Sequence, residues 1–104
     1  MDISELSQRV EVWACDIQYI NAVVLFGSRA KGTATENSDW DICCLINENE
    51  SEGWRGIWVC EADAWKREFC RATGLSESVV QFVAPTSPQV KAGLLECSKV
   101  LYVR

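Results

Sequence analysis

Histidine is absent from this chain of 104 residues. Its absence removes Ser-His and Cys-His nucleophilic machinery, so any proton transfer falls to carboxylates or to less usual groups. No CxxC pair occurs among the six cysteines, and with no imidazole to complete a ligand set a zinc site is not expected. Cys43 and Cys44 are adjacent, so on a strand they point to opposite faces and do not share one ion. Framework spacing is missing as well, and the start "MDISELSQRV" has neither a basic n-region nor an apolar h-region. Reduced, mostly buried thiols and a cytoplasmic address are therefore the expectation. No apolar run approaches the length of a bilayer span, which argues against a membrane partner. Clustered basic residues are lacking too. Ten Lys and Arg are scattered against fifteen Asp and Glu, and a formal charge of −5 speaks against strong nucleic-acid binding.

What remains is a chain with the means to fold. A hydrophobic fraction of 48% and five tryptophans supply material for a core, and residues 1–104 read as a single domain with no room for a separate substrate domain. No repeat, low-complexity tract or linker interrupts it.

Ile3, Leu6, Val10, Trp13 and Ile17 recur at helical steps, which predicts an amphipathic helix from about Ser4 to Gln18. "AVVLF", Ala22 to Phe26, reads as a strand buried on both faces and ended by Gly27. A second strand, "DWDICCLI", runs from Asp39 to Ile46 and stops at the polar stretch "NENESEG". The glutamates at 48, 50 and 52 in that stretch read as a solvated loop. From Trp58 to Thr73, Ala62, Trp65, Phe69 and Ala72 line one side of a second long helix, with Gly74 as its stop. "SVVQFVAP" gives a third strand around Val79 to Val83, halted by Pro85. "SPQVKAGLLECS" suits a short helix with Pro88 in its first turn, and "KVLYV" a last edge strand.

The segment between the first two strands, "GSRAKGTATENSDWD", carries the chemistry. Gly27 and Gly32 have the spacing of a P-loop, but Thr33 and Ala34 stand where Lys and Ser/Thr are required. A different arrangement fits more of the residues. A strand feeds a glycine turn, Ser28 and Arg29 open a helix whose free N–H groups suit phosphate, and a second strand begins with two aspartates. Period two puts Asp39 and Asp41 on one face, roughly 6–7 Å apart along the strand, while Trp40 turns to the other face and packs. Carboxylates so placed can share Mg²⁺ with phosphate oxygens. The plainer reading, a glycine turn with a serine-aspartate cap before a strand, leaves the second acid inside an apolar strand unexplained.

GSRAKG followed by SDWD resembles the G-S-x-x-x-G and S-D-x-D signature of the DNA polymerase beta-like nucleotidyltransferase superfamily, and most closely its minimal nucleotidyltransferases. The resemblance implies an α/β (α+β) domain of nucleotidyltransferase fold, a short mixed β-sheet flanked by helices. It implies Gly27, Ser28, Arg29 and Ser38 at the nucleotide, and Asp39 and Asp41 as metal ligands and catalytic carboxylates. It further implies Mg²⁺ (or Mn²⁺) and an NTP, ATP being expected, with NMP passed to a hydroxyl acceptor. Minimal nucleotidyltransferases are often antitoxin partners of HEPN-domain toxins, so a HEPN-type protein partner is expected and self-association is left open.

The sequence departs from that pattern at one position. Active members carry a third carboxylate on a neighbouring strand, and the matching residue in "VVQFV" is Gln81. An amide cannot serve as a general base. Glu61 and Asp63 fall on the predicted helix, outside the strands, and are not expected to substitute. A second expectation is therefore a catalytically impaired module that acts by nucleotide binding or by protein contact. Trp54, Trp58 and Trp65 form an aromatic concentration, and at least two are expected to pack in the core.

Overall fold

A computed structural model describes residues 2–46, 53–83 and 98–104, with backbone alone for 53–57. The first helix, α1 (Ile3–Ala14), starts where the Asp2 carboxylate accepts the Glu5 N–H at 2.7 Å, a side-chain cap on an otherwise open helix end. It buries Leu6, Val10, Trp13 and Ala14. The helix stops at Ala14, short of the expected Gln18. Two tight turns follow, with Ile17 N–H bonded to Ala14 O and Ile20 N–H to Ile17 O. Ile17 still packs against the core, now from a turn, which is why its helical spacing is misleading.

Strand β1 (Ile20–Phe26) begins two residues earlier than its apolar run suggests, and it is buried on both faces. Helix α2 (Ser28–Lys31) is a single turn between two glycines. Strand β2 (Trp40–Ile46) pairs antiparallel with β1, setting Phe26 opposite Asp41 and Leu25 opposite Ile42. Helix α3 (Gly53–Thr73) starts ahead of the expected Trp58 and ends as expected. Gly74 has φ of 79°, and its N–H returns to the Cys70 carbonyl at 2.8 Å, a left-handed terminus that suits glycine. A 3₁₀ turn, Glu77–Val79, leads into β3 (Val80–Val83), which runs parallel to β2 as the helical crossover between them requires. Strand β4 (Ser98–Val103) closes the sheet on the far edge, antiparallel to β1. The order is β3-β2-β1-β4, a mixed sheet as expected. The expected short helix around Pro88 and the glutamates at 48, 50 and 52 lie outside the described residues.

One face of this sheet holds the main core. Trp40, Ile42, Cys44 and Ile46 of β2 join Val23 and Leu25 of β1, and meet Leu6, Val10 and Trp13 of α1 and Trp65 and Phe69 of α3. Phe82 ties β3 to the aromatic group: Trp58 stacks on it at 5.6 Å and Trp13 meets it edge-on at 6.3 Å. Trp65 is buried and Trp58 half-buried, so these two tryptophans pack as expected. Because β2 alternates, the even-numbered residues in the core leave Asp41 on the opposite face of the sheet.

Candidate active site

The site is built where β1 turns into α2 and where β2 starts. Gly27 caps α2 with φ of 75°, a backbone that a side chain disfavours, and its carbonyl accepts the N–H groups of both Ala30 and Lys31 at 3.1 Å. A Cβ on Gly27 would collide with Asp41 Oδ2 and lie 3.1 Å from its Cγ. The glycine therefore serves two needs, the positive-φ turn and the close approach of the carboxylate. Ser28 follows half-exposed in the first turn of α2.

Asp39 is exposed and Asp41 half-buried. Burial pushes the Asp41 carboxyl above its usual range, and the negative charge of Asp39 adds to the effect. A half-buried carboxylate beside a second negative charge makes a place for a cation. Gln81 stands opposite Asp41 in the parallel register and donates its amide N–H to Asp39 Oδ2 at 3.5 Å, the long end of hydrogen bonding. The amide thus sits at the carboxylate pair, where the sequence places it.

Arg29 and Ser38 are joined to each other. The guanidinium donates from Nε at 3.1 Å and from Nη2 at 2.8 Å to the Ser38 carbonyl, and its carbon lies 4.0 Å from the centre of the Trp40 ring. The Ser38 hydroxyl accepts the Thr35 N–H at 2.9 Å and so shapes the turn before β2. Sequence reasoning assigned both side chains to the nucleotide and missed this contact, because no short-range period links Arg29 with Trp40.

The donors at the pair are hard carboxylate oxygens. Among the described residues no group of three or more His, Cys, Asp or Glu is arranged around a metal position. Glu61 and Asp63 are exposed on α3 and complete no such set. Two carboxylates suit a cation such as Mg²⁺, which keeps several waters and takes its other oxygens from phosphate.

A mixed sheet backed by helices, with an acidic pair beside a glycine turn on its other face, belongs to the nucleotidyltransferase class of α/β folds. The comparison with known families agrees: the model of the nucleotidyltransferase domain matches residues 6–99, and the chain belongs to that family. It is 43% identical over 49 residues to the protein adenylyltransferase MntA of Aphanizomenon flos-aquae (strain 2012/KM1/D3), a match spanning 47% of this chain and 31% of that protein. Among solved structures, a toxin–antitoxin crystal structure with AMP-PNP aligns at a TM-score of 0.59, with 21% identity over 94% of this chain and 73% of the other. A protein described as a nucleotidyltransferase from Sulfolobus solfataricus aligns at 0.54, with 18% identity over 98% and 80% of the two chains. These structural likenesses concern the fold. No helix among the described residues is long and apolar enough to cross a membrane.

Proposed function

We propose that the chain is a Mg²⁺-dependent nucleotidyltransferase that moves NMP from an NTP, ATP by preference, to a hydroxyl on a partner protein of HEPN type, and so acts as an antitoxin. The observation that carries this reading is the fit of Gly27 against Asp41, which sets the phosphate-facing turn directly beside the carboxylate pair. The MntA likeness supports adenylyl as the group moved, and the toxin–antitoxin likeness supports a protein acceptor. Mn²⁺ would serve in place of Mg²⁺ at the same oxygens.

Gly27 and Ser28 hold the triphosphate tail, through backbone N–H groups at the turn and the serine hydroxyl. Asp39 and Asp41 would hold the cation, which when bound would supply positive charge against the phosphate oxygens. The acceptor oxygen forms a bond to the α-phosphorus, the α–β phosphoanhydride bond breaks, and pyrophosphate leaves with the bonding pair. The acceptor proton passes to water, because Gln81 has no basic site to receive it.

Gln81 also favours a second reading, a nucleotide-binding module that contacts its partner without transfer. One titration series tests both. ATP and GTP are titrated calorimetrically, with and without Mg²⁺, into the wild type and Asp41→Asn. Metal-dependent ATP binding that vanishes in the variant supports the site, and labelled-AMP transfer to a co-expressed partner then separates enzyme from module. No binding at millimolar nucleotide sinks both.

A further inference from the structure

We infer that Arg29 is a positioning residue for the carboxylate pair and not a phosphate ligand, an inference that rests on the cation and nucleotide site proposed above. Ser38 and Trp40 flank Asp39 in the chain, and Arg29 grips both. Its Nε and Nη2 converge on the Ser38 carbonyl at 3.1 and 2.8 Å, while its guanidinium carbon lies over the Trp40 ring, 4.0 Å from the centroid. Trp40 is itself fixed, 7% exposed and packed into the core with Ile42 and Val80. One side chain thus ties the Ser38 carbonyl on one side of Asp39 and the Trp40 ring on the other to helix α2. The same helix begins at Gly27, whose backbone lies against Asp41. Helix α2 therefore holds β2 at two points, and the phosphate-facing turn and both aspartates keep one geometry as a unit.

The two roles for Arg29 predict opposite changes in cation binding without nucleotide. Were the guanidinium there for its charge, removing it would take a positive group away from the pair and tighten a bound cation. As a brace, its loss lets Asp39 drift from Asp41 and loosens the cation. Residues that orient metal-binding side chains typically change metal affinity by about 10–100-fold when replaced. Lysine is no substitute, because an ammonium lacks both the fork for the carbonyl and the flat face for the ring.

The test is Mn²⁺ binding by the full chain in the absence of nucleotide, followed by the loss of the free-ion paramagnetic resonance signal. Wild type, Arg29→Gln, Arg29→Lys and a core control, Leu6→Ala, are compared, with thermal unfolding recorded for each. The expected result is affinity reduced about 10–100-fold in both arginine variants and unchanged in the control, which is destabilised away from the site. If Arg29→Gln does not fold, Arg29→Lys alone decides. Unchanged or tighter Mn²⁺ binding in the folded arginine variants, with a loss seen only when ATP is added, would overturn the inference and return Arg29 to the phosphates. Failure of the wild type to bind Mn²⁺ would instead overturn the site reading on which the inference rests.

Discussion

Asp41 and Gln81 occupy partnered positions in the parallel pairing of β2 with β3, and the Gln81 amide reaches across to Asp39. An acid at position 81 would therefore face the carboxylate pair with no change of backbone. Gln81→Asp is expected to raise transfer to a competent acceptor by about 10²–10⁴, the usual contribution of a general base. The gain should be confined to turnover, with nucleotide affinity nearly unchanged, as single-turnover assays with labelled ATP would show. Equal rates in wild type and variant would mean the pocket is not limited by its base and would favour the binding module.

Gly27 and Gly32 make an internally controlled pair, because both have positive φ, 75° and 79°, and only one is crowded. A Cβ at Gly32 meets nothing within 4 Å, whereas at Gly27 it strikes the Asp41 carboxylate. Gly32→Ala should cost about 1–3 kcal/mol of stability for the strained backbone and leave nucleotide binding intact. Gly27→Ala carries a greater strain, because φ 75° with ψ −157° is open essentially to glycine alone, also displaces Asp41, and is expected to abolish metal-dependent ATP binding. Calorimetry on the two folded variants checks the difference.

Much of this site is readable from the sequence because its parts are local. A glycine after an apolar strand and aspartates two residues apart need only turn chemistry and the strand period, and Gln81 follows once the third strand is placed. The side of Asp39 held by Arg29 is not readable in that way. A long cationic side chain can face solvent, phosphate or a ring, and the choice depends on where the buried Trp40 sits after folding. Helix limits fail for a related reason. Ile17 gains burial from a turn and not from a fourth helical repeat, and α3 begins among residues whose composition reads as loop.

The Asp41 carboxyl has its pKa raised by burial and then by Asp39, so the folded metal-free protein holds that proton more tightly than the unfolded chain does. Stability from this group is present below the unfolded value near 3.8 and declines as pH rises through the window up to the raised folded value. At neutral pH the ionised Asp41 is thus a net burden on the empty site. Asp41→Asn should raise the unfolding midpoint of the metal-free protein at pH 7, and the advantage should shrink as pH falls from the raised folded value toward 3.8 and be absent below it. Added Mg²⁺ and ATP should stabilise the wild type and leave the variant unmoved. A midpoint in Asp41→Asn that is lower than wild type across the whole pH range would contradict this account.

The cysteines report on the sheet independently of any ligand. Cys43 and Cys44 point to opposite faces of β2 and are both fully buried, so both faces of that strand are covered at this point. Burial pushes the Cys43 thiol up to about 11 and the Cys44 thiol well above its ordinary value, the neighbouring Cys43 adding to the second. Cys70 is raised by burial, then by Glu77, with Lys66 opposing. Thiolate is the reactive form, so these three should resist alkylation at pH 7.5 while exposed Cys15 and Cys60 react readily. Timed labelling with peptide mass mapping should show Cys15 and Cys60 modified first. Cys43 and Cys44 should appear only with global unfolding, because β2 is paired on both sides, by β1 and β3, and cannot expose its thiols by fraying. Early modification of Cys44 in the folded protein would place it outside the core and would break the strand phase that sets Asp41 on the face of the proposed site.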